Sequence, residues 1–485
     1  MSSIKERRSS LNYLHIAIGL FLMFVFGRVV PAYYPITEMG MQVVGVFLGL
    51  IWLWCFVGFL WPSLLGLVAI ALTGFAPMGQ IVSMSFGNGV VVLLLMSMVL
   101  FGSPQEVGAT EYINRWFLTR KVFNNRPIVF SLVFFLATYA LSLAVNVTPS
   151  LILMWSVLYA LLKDLGYTKG EKYTSLMVVG TFLGAISGQA TLPFSGSTLA
   201  ILGNFETAAS TAIPTAQYML MGLIVSIVVI VLYALFMKVV CKESDLDKVA
   251  HVNTEMFNAQ PLPPMNGIQK ANFYVILLFV VLMLLPQFLP AGTQLRTWLN
   301  TLGATGVALL LTGLACLIKI GGQPILDFPK VAAKAVNWDV FVMVAAAMAI
   351  ASALTNTETG VVDWMLKVFE PLLGGHTPLG FFIVMLLFGV VATSFTSAMT
   401  LSIALMPIIV AFGQRTGANI EAVTTMFVLL VHYSIILPSA SVFASMLWSN
   451  DQWISRKDVF KYGLVVVLIG TVVTLALIPL ALAIF

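Results

Sequence analysis

Ser142-Leu143-Ala144-Val145-Asn146-Val147-Thr148-Pro149-Ser150 lies at the middle of an uncharged apolar stretch that runs from residue 127 to residue 162. A second such stretch, 377–414, has Thr393-Ser394-Phe395-Thr396-Ser397-Ala398-Met399-Thr400 at its middle. A single membrane span needs about 20 residues, so each stretch is too long for one helix. Neither carries charge at its centre to support an aqueous loop between two full spans. A re-entrant helical hairpin, turning at mid-depth on small polar residues, meets both conditions. Bare backbone at that depth is tolerated only where it is buried in protein or lines a wet cavity. Two such tips in corresponding halves of a chain point to a transporter's substrate site.

The surrounding sequence fits a polytopic helical membrane protein. Sixty per cent of the 485 residues are apolar and 9% are charged; a soluble domain carries about 25% charge. The mean hydropathy is +1.01. A transmembrane barrel would show short alternating segments instead. The pI near 9.0 is explained by topology signals in loops, and no nucleic-acid partner is expected. Cys55, Cys241 and Cys316 have no metal-ligand spacing and imply no disulfide framework. Lys5-Glu6-Arg7-Arg8 precedes an apolar run from Leu11 to Val30 with no small-residue cleavage site, which reads as an uncleaved first span.

Spans are expected near 11–30, 41–61, 63–76 and 86–103, followed by an amphipathic piece at 108–122 and the first hairpin. The next apolar stretch, 173–205, is interrupted by Ser187-Gly188-Gln189-Ala190-Thr191-Leu192-Pro193-Phe194-Ser195-Gly196-Ser197-Thr198 and predicts a helix broken into two halves. A span at 215–238 and a polar linker at 241–270 complete the first half. The second half repeats the order, with spans near 271–289, 301–318 and 338–355, an amphipathic piece at 361–372 and the second hairpin. A second broken helix at 422–450 has Pro438-Ser439-Ala440-Ser441 at its centre, and a last span covers 461–485. Gly108 and Gly360 are 252 positions apart, and Asn146 and Ser397 are 251 apart. A near-constant offset is what a duplicated unit predicts.

The chain therefore divides into an N-terminal span (1–40), a first repeat (41–240), a cytoplasmic linker (241–270) and a second repeat (271–485). With eleven spans and the N-terminus inside, twenty of the twenty-four Lys and Arg residues fall in cytoplasmic segments, leaving Arg28, Arg296, Lys367 and Arg415 outside. That assignment sends the first hairpin in from the cytoplasm and the second from outside, which makes the repeats inverted. It places the protein in the cytoplasmic membrane with the C-terminus outside.

The pattern resembles the divalent anion:sodium symporters, the family of dicarboxylate, citrate and sulfate carriers. The Ser-Asn-Thr triplet found at each hairpin tip of that family aligns here with Asn146-Val147-Thr148 and Ser397-Ala398-Met399. Its Thr-Gly turn corresponds to Val107-Gly108 and Thr359-Gly360, and its Asn-Trp helix start to Asn337-Trp338. Its Pro-Pro-Asn turns are replaced by Ser195-Gly196-Ser197-Thr198 and Ser441-Val442-Phe443-Ala444. The resemblance implies an all-α integral membrane fold with eleven transmembrane helices and two re-entrant hairpins in inverted repeats. It further implies scaffold and transport domains, elevator-type alternating access and a homodimer. It places substrate at Asn146, Val147, Thr148, Ser195, Gly196, Ser397, Ala398, Met399, Ser441 and Val442. It places sodium sites at Ser142, Asn146, Val147 and Phe194, and at Thr393, Thr396, Ala398 and Ala440. The side-chain amides of the family are absent at two of these positions. Sodium as coupling ion therefore stays open beside proton coupling and exchange, and no other cofactor is implied.

The residue chemistry supports an anion site without reference to any family. Charge in hydrocarbon is costly, and no Lys or Arg sits at mid-membrane. Half-helix N-termini supply a partial positive charge, and Thr148, Ser150, Ser195, Ser197, Ser397, Thr400, Ser439 and Ser441 supply hydroxyl donors. The competing reading is that these hydroxyls only satisfy neighbouring backbone. Gln189 and Asn146 are the amides near the first-half breaks, as ligands or as interhelical struts. His432 is either a proton-coupling group or a packing residue. A cation/proton antiporter would call for a buried carboxylate in a span, and none lies well inside the two broken helices or hairpins. A membrane-embedded enzyme would call for a catalytic pair, and His432 has no carboxylate near it in sequence. The expected function is secondary transport of a small organic anion, a di- or monocarboxylate, across the lipid bilayer.

Overall fold

Both uncharged stretches fold as pairs of helices joined by a two-residue turn. The structure is a computed structural model and describes residues 2–110, 112, 126–249, 264–290 and 292–485. The first part contains α1 (Ser2–Phe21), α2 (Glu38–Phe56), α3 (Leu60–Leu72), α4 (Met78–Met84) and α5 (Gly89–Glu106). The first hairpin is α6 (Pro127–Ala144) and α7 (Val147–Asp164). The first broken helix is α8 (Lys172–Thr191) and α9 (Gly196–Ala209), followed by α10 (Thr215–Val240). Beyond the linker come α11 (Gly267–Phe288), α12 (Gln294–Leu317), α13 (Phe328–Ala335), α14 (Trp338–Thr355) and α15 (Val361–Leu373). The second hairpin is α16 (Pro378–Phe395) and α17 (Ala398–Thr416). The second broken helix is α18 (Ile420–Val431) and α19 (Val442–Trp448), and α20 (Arg456–Ala476) and α21 (Ile478–Ile484) close the chain.

Among the described residues, thirteen helical segments are long and apolar enough to cross a membrane, with Leu60–Leu72 and Ile420–Val431 as shorter apolar helices. The fold is thus a helical membrane bundle, as the composition demands. Both hairpins open on a proline at the first helical position, Pro127 and Pro378, where the missing N–H costs nothing. Gly108 and Gly360, paired by the internal offset, share a left-handed backbone with φ of 67° and 63°, a conformation that favours glycine. At Gly360 an added Cβ would also lie 2.1 Å from the Pro35 carbonyl oxygen.

Several boundaries differ from the sequence expectation. The span placed at 63–76 is α3, which starts at Leu60 and stops at Leu72, and the separate helix α4 follows. The span placed at 301–318 starts at Gln294 and turns at Gly303, whose φ is 58°. The last span ends at Ala476, because Pro479 in the first turn of α21 has no N–H to continue the ladder. Within the linker, Glu243–Leu246 is helical and α11 begins at Gly267, where Asn266 and Gln269 form a capping box. The amphipathic piece expected at 108–122 falls largely outside the described residues.

Burial identifies the centre of the bundle. Every residue of α8 from Tyr173 to Thr191 is buried, and so are ten consecutive residues of α18, Ala422 to Val431. Helices buried all round can be apolar all round. By contrast, α11 buries Asn272, Ile276 and Phe279. The first halves of the two broken helices, α8 and α18, therefore form the inner layer. Helix α8 packs on both hairpin arms α6 and α7 and on α10, whereas α9 packs on α17 and α14. The first break thus shifts the chain from partners mainly of its own half to partners mainly of the other, although α8 also meets α20 and α9 also meets α5.

Candidate functional site

At the first break, Pro193 ends α8 because it offers no N–H, and Leu192-Pro193-Phe194-Ser195 leads into α9. Ser195 stands at the N-cap of α9, but its hydroxyl donates to the carbonyls of Gln189 (2.8 Å) and Leu192 (3.1 Å), so no side chain caps the helix. Thr198 also donates to the Gln189 carbonyl, at 3.1 Å. The Gln189 amide N–H donates to the Ser197 hydroxyl at 2.8 Å.

At the second break the chain leaves α18 at His432 and rejoins helix at Val442, with a 3-10 turn at Pro438–Ala440. His432 Nδ1 lies 2.7 Å from the Val428 carbonyl. A carbonyl only accepts, so Nδ1 carries a proton, and in the neutral imidazole Nε2 is left as an acceptor. His432 Nε2 is 3.2 Å from both the Ser197 and Thr198 hydroxyls. One imidazole therefore ties the start of α9 to the end of α18. Beside it, the Ser187 hydroxyl reaches the Tyr433 hydroxyl at 3.4 Å.

Each hairpin tip docks on a break. In the first hairpin, Ser142 donates to the Ala185 carbonyl at 2.7 Å, and the Tyr139 hydroxyl lies 3.2 Å from that of Thr191. Asn146 caps α7 by accepting from the Val147 N–H at 2.7 Å, with Thr148 in the first turn. In the second hairpin, the Thr393 and Ser434 hydroxyls are 2.7 Å apart, and Ser439 donates to the Phe395 carbonyl at 3.2 Å. Ser397 caps α17 by accepting from the Thr400 N–H (3.3 Å) and hydroxyl (2.9 Å); Ala398 is buried and Met399 half-buried. Ser441 caps α19 by accepting from the Ala444 N–H at 2.9 Å, while Val442 is exposed.

The order of contact is thus tip, break, break, tip. Of the candidate sodium ligands, Ser142 and Thr393 turn their hydroxyls to protein partners as given above. Thr396 Oγ1 lies 2.9 Å from Cys55 Sγ of α2. Phe194 is buried edge-on against Phe279, 5.0 Å between ring centroids, and Ala440 is fully buried. The sequence left Gln189 open as ligand or strut and His432 open as proton-coupling or packing residue, without showing that they share one cluster. Their position follows from the approach of two helices 243 residues apart in the chain, and no local pattern encodes that approach.

The sequence compares with known proteins as this geometry would suggest. A family model described as a citrate transporter matches residues 47–432. The sodium-dependent dicarboxylate transporter SdcS of Staphylococcus saprophyticus is 24% identical over 349 residues. The match covers 68% of this chain and 64% of that relative, less than two thirds of its length. Among solved structures, the Alcanivorax borkumensis YdaH transporter, reported to have an unusual topology, superposes with a TM-score of 0.57 at 14% identity, covering 97% of this chain and 98% of that one. Neisseria gonorrhoeae MtrF, reported to represent a class of antimetabolite efflux pumps, gives 0.57 at 15% identity, with 96% and 94% covered. Those two similarities bear on the fold. The family model spans most of the chain and agrees with the resemblance read from its hairpin tips and breaks: the chain belongs to the citrate transporter family.

Proposed function

We propose that the protein is a secondary active transporter of a small organic anion, a di- or monocarboxylate, bound where the two broken helices meet. The observation that carries this reading is the His432 bridge to Ser197 and Thr198, which draws two helix breaks into one polar cluster at the centre of an apolar bundle. The long helices α7, α9 and α17 all begin at tips or breaks, and helix N-termini favour anions. Family membership and the dicarboxylate relative support the same substrate class. Movement is elevator-type: hairpins and broken helices travel past a scaffold that includes α2, whose Cys55 touches the second hairpin tip at Thr396. The repeats are inverted, the N-terminus is cytoplasmic in the inner membrane, and the assembly is a homodimer. Sodium is the coupling ion in the first reading. Proton coupling is the second, favoured by the position of His432 between the breaks.

Thermal stabilisation of the purified protein by mono-, di- and tricarboxylates and inorganic anions tests this, since a ligand of the folded state raises the melting temperature by mass action. Carboxylate stabilisation that grows with sodium supports the first reading, and stabilisation that follows pH without sodium supports the second. Stabilisation by no carboxylate refutes both.

A further inference from the structure

Arg28 ends the first span, just after a π-helical turn at Leu22–Phe26; such turns are frequent at functional sites. Its guanidinium donates to the carbonyls of Phe24 and, at 3.4 Å, of Leu72 at the end of α3. Among the described residues no carboxylate lies within ion-pair distance of it. The first span presses closely on α2 here: a Cβ at Gly27 would lie 2.3 Å from Gln42 Cα. That approach sets Arg28 beside Gln42, and both line a shallow open recess together with Met23, Phe24, Ala69 and Thr73. The Thr73 hydroxyl is spent on the Ile70 carbonyl at 2.7 Å. Gln42 is half-buried, and its amide makes no hydrogen bond.

The recess lies at the edge of the bilayer. Gln42 is four residues, about 6 Å of helix rise, from the polar start of α2 at Thr37 and Glu38, and beyond it α2 carries no charge. Tyr33 and Tyr34, next along the chain from Arg28, are 70% and 89% exposed, and exposed aromatics mark the membrane interface. At that depth the anions at hand are lipid phosphates. Arg is the side chain whose fork suits a phosphate, and the bonds it makes there are charge-assisted. The Gln42 amide adds a neutral donor, and Met23, Phe24 and Ala69 give the recess an apolar wall. Glu38 stands on the same face of α2 as Gln42, one turn nearer the water, and it too has no partner. Side chains four apart on a helix lie about 5–6 Å from one another, so an ammonium joined to the phosphate by a short bridge reaches Glu38.

The geometry points to a phospholipid headgroup site at the junction of the first span, α2 and α3. The phosphate of a phosphatidylethanolamine takes Arg28 and Gln42, and its ammonium takes Glu38. The site rests on the membrane fold and is independent of the substrate transported.

Native mass spectrometry of the purified protein released from detergent, with phosphatidylethanolamine, phosphatidylglycerol or diacylglycerol added at equal concentration, tests this. Phosphatidylethanolamine is expected to be retained at least about tenfold better than diacylglycerol, as a charged hydrogen bond implies. Its advantage over phosphatidylglycerol is expected to be about two- to fivefold, since the Glu38 pair is exposed. Arg28→Gln and Gln42→Leu should each lower its retention severalfold. Glu38→Gln should remove the preference over phosphatidylglycerol and keep the preference over diacylglycerol. If Arg28→Gln does not fold, Gln42→Leu decides, because that side chain makes no hydrogen bond in the protein. Equal retention of diacylglycerol, or unchanged retention in Gln42→Leu, overturns the phosphate site and leaves Arg28 as an interfacial anchor. Equal or stronger retention of phosphatidylglycerol by the wild type overturns the assignment of the headgroup.

Discussion

Gly184→Ala should loosen the first hairpin from the broken helix it docks on. Helix α8 carries glycine at 180, 184 and 188, all on the face against α6. A Cβ at Gly184 would lie 2.5 Å from the Phe135 backbone oxygen and 3.1 Å from Thr138 Cβ. Backbone cannot turn aside as a side-chain tip can, so the helices must part by about 1 Å to reach ordinary contact. Such overpacking costs about 1–3 kcal/mol. The gain in helix propensity from glycine to alanine returns up to about 1 kcal/mol. The net expectation is a loss of about 1–2 kcal/mol, a factor of about 5–30 in the folding equilibrium. The neighbouring Ser142 bond to the Ala185 carbonyl, 2.7 Å long, would stretch as well. Gly313→Ala is the control, since its added Cβ would meet nothing within 4 Å, and it should be neutral or slightly stabilising. Unfolding followed by tryptophan fluorescence in detergent separates the two. If Gly184→Ala unfolds with the wild type or with the control, α6 does not lie against α8, and the docking of the first tip beside the first break is wrong.

His432→Leu should cost about 1–3 kcal/mol, because the Ser197 hydroxyl loses an acceptor and the Val428 carbonyl loses a donor. His432→Gln should recover part of that loss in the same unfolding assay, and no difference between the two would argue that the bridge is packing alone. At the edge of the linker, the Lys242 backbone N–H and then the Lys172 amine hold the Asp245 carboxyl below its usual range. Its contribution is present above the unfolded value of about 3.9 and is lost as pH falls through the lower folded value. Cleavage near 241–249 by an acid protease should therefore rise below about pH 4 in the wild type. In Asp245→Asn it should already be raised at pH 6 and change little with pH, and a rise already at pH 6 in the wild type would contradict the assignment.

The sequence by itself determined the class of molecule and the places where its helices stop. Uncharged runs of more than 30 residues with polar centres admit few solutions in a bilayer, because unpaired backbone is too expensive there. Pro127, Pro193, Pro378 and Pro438 then mark the helix starts and breaks by chemistry that acts within one turn. The 251-residue offset between Asn146 and Ser397 likewise anticipated two similar hairpins. Boundaries set by weaker signals slipped, as at α3 and at the Gly303 turn in α12. What the tertiary structure alone decided is which breaks meet. Hydrophobic periodicity says that α8 and α18 are buried but not that His432 faces Ser197. The choice depends on how α9 crosses from the first half to pack on α14 and α17, a question of volume and shape summed over many side chains. Gln189 shows the same limit: its polarity is legible in the sequence, but its unpaired oxygen exists only because Ser195, Thr198, Ser197 and His432 have satisfied one another around it.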